Sequence, residues 1–283
     1  MMTKNSEINP IEYTCNGKTL TFIKPLVMAI VNITPDSFYD GGKYSNIKDV
    51  LSDISEKIEQ GADIIDIGAA SSRPNAKIIT ENEEWERLEV YLPEIRKTFP
   101  NTFISIDTFN SGVAKKSAGL GADIINDISG GNLDHKMFET VAALNLPYIL
   151  MHMQCTPQTM QQNPTYSNVV SEIKNELDEN IKKLNSLNFK KIIVDVGFGF
   201  GKTQEHNYKL LKSLNEFDQY PILAGLSRKS MINAVIGTSP VTSLNGTTVL
   251  NTIALLNGAS ILRVHDVLEA KQAIELVEFY KNF

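Results

Sequence analysis

Short apolar runs bounded by turn residues recur along the chain, and most are followed by a segment whose apolar residues repeat at helical spacing. Eight such runs read as strands: "LVMAIV" (26–31), "DIIDIG" (63–68), "FISID" (103–107), "DIIND" (123–127), "YILMH" (148–152), "IIVDV" (192–196), "PILAGL" (221–226) and "ILRVH" (261–265). Between the first two, Ile47, Val50, Leu51, Ile54 and Ile58 form one helical stripe, which Gly61 stops. The segment "TENEEWERLEVYLPEIRKTF" opens with a capping-box pair, Thr80 and Glu83, and its Pro93 predicts a kink or interruption. Helices are also expected over 171–187 and 267–283. Near-continuous apolar strands alternating with amphipathic helices indicate a parallel sheet covered by helices. Eight units in 283 residues match a (β/α)₈ TIM barrel, with a doubly wound open sheet as the alternative. Ahead of them, "EYTCNGKTLTF" carries an Asn-Gly turn and predicts a small hairpin capping the far end of the barrel. The chain thus divides into an N-terminal extension, 1–25, and a barrel over 26–283.

Composition narrows the classes. The longest apolar runs fall short of the roughly 18 residues that span a bilayer, and "MMTKNSEINP" lacks the core of a secretory signal, so a cytoplasmic protein without a membrane partner is expected. A net charge of −6 argues against a broad basic face for nucleic acid. Cys15 and Cys155 lie far apart and outside any metal-ligand spacing, which favours reduced thiols.

The candidate chemistry lies at the C-terminal ends of the strands: Asn32, Ser72 with Arg73, Asp107, Asn126, His152, Asp195, Lys229, and Arg263 with His265. Each taken singly reads more readily as a helix cap or turn former. In a parallel barrel, however, all these ends converge on one mouth, where barrel active sites are built. Two carboxylates and an amide suit the edge of a flat heterocycle carrying N–H donors beside a carbonyl. Arg263, His265 and Lys229 are three potential cations for phosphate, although Arg263 could instead pair with Asp266. The stretch "DVGFGFGKT" resembles a nucleotide phosphate loop, but Val196 stands where that pattern needs glycine. Lys202 and Thr203 are expected at the start of the next helix, with Thr203 as its N-cap. The polar loop "NITPDSFYDGG", around Phe38, reads as a lid.

The segments "VMAIVNITPDSFYDGG", "GADIIDIGAASSRPNA", "ISIDTFNSGVAKKSAGLGADIINDISGG", "LMHMQCTPQTMQ", "IIVDVGFGFGKTQEHN", "PILAGLSRKSMI" and "ILRVHDVLEA" together resemble the dihydropteroate synthases, in the family's order from about residue 26 to the end. The resemblance implies a (β/α)₈ barrel that joins p-aminobenzoate to 6-hydroxymethyl-7,8-dihydropterin diphosphate in folate biosynthesis, with Mg2+ on the diphosphate, a homodimer, and a sulfonamide target. It places Asp107, Asn126, Asp195 and Lys229 in the pterin pocket, and Arg263, Val264 and His265 at the diphosphate, with Ser72 as a further contact. Arg73, Phe200 and Ser227 fall at the aminobenzoate site and Asn32 at the metal. Asp107, Lys229, Arg263 and His265 carry the catalysis on this reading. The chain departs from the family pattern at Ala70 and Ser72, at Val196 for a usual proline, and at Cys155 for a usual glycine. Related readings are a corrinoid methyltransferase of the pterin-binding barrels, or a pterin-binding protein without turnover.

Overall fold

The computed structural model describes residues 10–33, 46–70 and 79–283. Asn16 and Gly17 both lie at positive φ, 48° and 75°, the conformation a two-residue hairpin turn demands. They join β1 (Glu12–Cys15) to β2 (Lys18–Thr21) as an antiparallel pair. Eight parallel strands follow: β3 (Leu26–Asn32), β4 (Ile64–Gly68), β5 (Phe103–Asp107), β6 (Ile124–Asp127), β7 (Tyr148–Met151), β8 (Ile192–Asp195), β9 (Ile222–Ala224) and β10 (Ile261–Val264). They close into a barrel in chain order, with β10 pairing back onto β3. The fold is the expected (β/α)₈ barrel, and each strand begins and ends within about two residues of the run that predicted it.

Outside the barrel lie α1 (Ile47–Glu59), α2 (Glu81–Thr98), α3 (Ser111–Gly119), α4 (Met137–Leu144), α5 (Val169–Ser186), α6 (Gln204–Lys212), α7 (Ser230–Ile236), α8 (Leu244–Leu256) and α9 (Val267–Lys281). The capping box at the start of α2 forms as expected, Thr80 and Glu83 each satisfying the other's backbone N–H. Pro93 does not interrupt this helix, contrary to expectation. Leu88, Leu92 and Ile95 around it are all fully buried. At about 1.5–3 kcal/mol each, their burial outweighs the roughly 3 kcal/mol that an interior proline costs.

Strand side chains alternate between two layers. Val27, Ile65, Ile67, Ile104, Ile106, Leu262 and Val264 face outward into the core shared with the helices. Met28, Ile64, Ile124, Ile149, Ile193, Leu223 and Ile261 face inward and pack with Tyr13 and Leu20 of the hairpin. Tyr13 Oη also donates to the Ile192 carbonyl at 2.7 Å, and Lys18 pairs with Asp123 at 2.6 Å. The hairpin therefore plugs the N-terminal end of the barrel. Two residues further along the strands, the same inward register is occupied by Asp66, Asn126, Asp195 and Arg263. An apolar floor thus carries a charged upper layer.

Candidate active site

Arg263 sits two residues above Ile261, so its side chain enters the mouth. Its Nε donates to Asp66 Oδ2 at 2.7 Å, and its Nη2 to Asp107 Oδ2 at 2.6 Å. The same Asp66 oxygen accepts Asn126 Nδ2 at 3.0 Å. Asp66 is fully buried and lies outside the set expected from the sequence. Its signal was a carboxylate in the middle of an apolar strand, on the inward phase. The alternative pairing of Arg263 with Asp266 does not form, because Asp266 lies past the strand and holds Arg228 at 2.6 and 2.8 Å.

One guanidinium serves two carboxylates here, and the charges respond. Burial pushes the Asp107 carboxyl up, with Asp66, Glu84 and Asp127 adding to the shift, while the Arg263 guanidinium against it opposes the rise and favours the ionised form. Burial would lower Arg263, but Asp66 and Asp107 more than reverse this and hold it above its ordinary value. Asp195 lies within electrostatic reach of Arg263 as well, so the carboxylate of β8 and the cation of β10 face the same end of the barrel interior.

Across the mouth, burial raises the Asp195 carboxyl, an effect that Lys229 counteracts. Burial likewise lowers Lys229 to about 8, against the pull of Asp195. Lys229 Nζ donates to the Phe198 carbonyl and lies 5.0 Å from the centre of the Phe200 ring. Phe200 packs on Ile128, Met151, Met153 and Met160, an apolar wall beside the charged layer. Asp195 Oδ1 accepts the Gly197 N–H at 2.7 Å. Gly197 has φ 69°, and a Cβ there would collide with the His152 carbonyl, so the loop after β8 hugs β7. Thr203 caps α6 as expected, in a reciprocal pair with His206. Lys202, expected at the start of that helix, lies just before it with its side chain buried against His152. Cys155, where the family pattern has glycine, keeps a left-handed backbone at φ 66°.

Ser227 Oγ lies 3.1 Å from His265 Nδ1 and accepts the His265 N–H at 3.3 Å. Burial, reinforced by Arg263, depresses His265 to about 4, so it is neutral at pH 7 rather than the third cation its position suggested. It offers a ring N–H instead of a charge. Val264 points outward into the helix-facing core, fully buried, so its side chain does not face the mouth. Asn32 ends β3, and a Cβ on neighbouring Gly68 would lie 3.2 Å from its Oδ1, so the bare glycine leaves that amide oxygen room. Ser72, Arg73, Phe38 and the lid expected around it lie outside the described residues.

A model of the pterin binding enzymes matches residues 28–265. The dihydropteroate synthase of Haemophilus influenzae is 42% identical over 265 residues, covering 92% of this chain and 96% of that relative. The Yersinia pestis dihydropteroate synthase, solved in a sulfonamide drug complex, superposes with a TM-score of 0.91 at 37% identity, over 96% of this chain and all of the other. The Burkholderia cenocepacia dihydropteroate synthase complexed with 7,8-dihydropteroate gives 0.86 at 35%, over 96% and 97%. With this fold, this mouth and this extent of likeness, the chain belongs to the pterin-binding enzymes, among the dihydropteroate synthases.

Proposed function

We propose that the chain is a transferase that joins p-aminobenzoate to 6-hydroxymethyl-7,8-dihydropterin diphosphate, forming 7,8-dihydropteroate and releasing pyrophosphate for folate synthesis. The observation that carries this reading is the convergence at the barrel's C-terminal mouth of Asp107 and Asn126, linked through Arg263 and Asp66, with Asp195 and Lys229 in electrostatic reach. Asn126 and Asp195 hold the edge of the pterin, with Lys229 at its carbonyl side. Arg263 and the neutral His265 receive the diphosphate, assisted by Ser72. Phe200, Ser227 and Arg73 line the aminobenzoate site. Val264 contributes through its backbone, since its side chain lies in the core.

The pterin methylene passes from a diphosphate oxygen to the aromatic amine: a C–O bond breaks, a C–N bond forms, and the amine proton leaves. Aminobenzoate reacts through a neutral amine, so the demanding step is departure of a polyanion. Arg263 offsets the charge growing on that leaving group, and ionised Asp107 offsets the positive charge developing on the pterin. Closure of the mouth excludes water, which would otherwise capture the pterin as its alcohol.

Mg2+ is read as an ion carried to this site on the diphosphate. Among the described residues no group of three or more His, Cys, Asp or Glu side chains could cage it. Asn32, the last residue of β3, would supply one amide ligand to an ion that keeps waters and substrate oxygens as its others. When bound, Mg2+ supplies charge neutralisation on the diphosphate.

The chain works in the cytosol as a homodimer. No described helix is long and apolar enough to cross a membrane, and α9 exposes Leu276, Phe279 and Tyr280 at 71%, 67% and 70%. A coupled pyrophosphate-release assay with both substrates tests the activity. Release is expected only when both are present and is expected to depend on Mg2+; no release under any condition would overturn it.

A further inference from the structure

Among the described residues the mechanism leaves a buried lysine unused, Lys202, which is 3% exposed. It belongs to "DVGFGFGKT", the stretch whose likeness to a phosphate loop found no role in the barrel. Its Nζ donates to the Phe200 carbonyl at 2.9 Å and to the His152 carbonyl at 3.3 Å, and lies 3.0 Å from His152 Nδ1. Burial lowers Lys202 to about 7; when it is protonated these contacts use all three protons, His152 Nδ1 is the acceptor, and the imidazole proton sits on Nε2, 3.4 Å from Glu176 Oε2. The result is a strut running from α5 through the end of β7 to the loop after β8.

That strut ends on the backbone of Phe200. The loop turns on itself there, Phe200 N–H donating to the Gly197 carbonyl at 3.1 Å, and Lys202 closes the turn from behind. Burying an ammonium is a poor way to gain stability, because a well-packed apolar side chain of similar volume is often neutral or better. Three directed bonds to two carbonyls and a ring nitrogen instead fix the position of a loop. Asp195 faces the ammonium from β8, Glu176 from α5 and Lys229 from the loop after β9.

We infer that Lys202, braced by His152, is a positioning residue for the second substrate: it sets the Phe200 wall and thereby the affinity for p-aminobenzoate, without contacting either substrate. This rests on the reading that Phe200 lines the aminobenzoate site. The test is steady-state kinetics on the full chain with Mg2+ present, together with calorimetric binding of pterin diphosphate. Lys202→Met is expected to raise the aminobenzoate KM by on the order of tenfold or more, as for a displaced positioning group, while pterin diphosphate affinity and Tm hold. His152→Phe, which keeps a ring but removes the Nδ1 acceptor, is expected to act in the same direction and decides the matter if the first variant melts below the assay temperature. An unchanged KM, an equal loss of affinity for both substrates, or loss of the fold in both variants would overturn the inference. Phe200→Ala separates it from the reading beneath it. If that variant leaves the aminobenzoate KM intact, the assignment of the wall itself fails; if it raises KM and Lys202→Met does not, only the role of Lys202 falls.

Discussion

His265 shows most plainly how surroundings overrule a side chain's ordinary chemistry. Its folded pKa of about 4 lies below the usual 6.5, so between those values the unfolded chain binds the proton and the folded chain does not. The contribution to stability is therefore complete above about pH 6.5 and is lost as pH falls toward 4. Urea unfolding at pH 7 and pH 5 should show the natural protein losing more stability than His265→Asn, which has no ring to protonate; equal losses would contradict the burial argument. At this scale Asp107, Asn126, Asp195, Lys229 and Arg263 could be picked out from the sequence because each stands at the polar end of an apolar run. Asp66 left only the trace of a carboxylate inside an apolar strand, and neither its partners nor those of Lys202 could be read before strand register was known. The neutrality of His265 was equally hidden, because it depends on burial and on Arg263.

Among the elements, the hairpin has the clearest separable role. Its Asn-Gly turn announces it in the sequence, whereas its seat beneath the barrel depends on Tyr13 reaching Ile192, a pairing across 179 positions. Tyr13→Phe leaves the Ile192 carbonyl without that donor and is expected to cost about 1 kcal/mol in chemical denaturation. Turnover should not change, since β1 and β2 close the end opposite the mouth; a fall in kcat would show that the floor transmits to the active site. Helix α2 is the counterexample in reading from sequence. Pro93 carries a strong local signal against continuation, yet three buried aliphatic side chains around it hold the helix. Local rules located both elements, and tertiary packing decided how they ended.

For the whole molecule, closure of the eight-stranded sheet leaves no free barrel edge, so the proposed dimer is expected to pair through helix faces. The outer side of α9 is the evident one, with Leu276, Phe279 and Tyr280 all mostly exposed. The proposed dimer should appear in sedimentation at micromolar concentration and Leu276→Glu should shift it toward monomer; a monomeric natural protein would contradict the dimer, and a variant that stays dimeric would move the interface elsewhere. The barrel itself was legible because eight similar units repeat, while a face for a second copy carries no comparable period. The double clasp on Arg263 bears on the molecule's selectivity as well. A guanidinium already satisfied by two carboxylates is a poor perch for stray sulfate or chloride, and only an anion of higher charge competes with Asp66 and Asp107 for it.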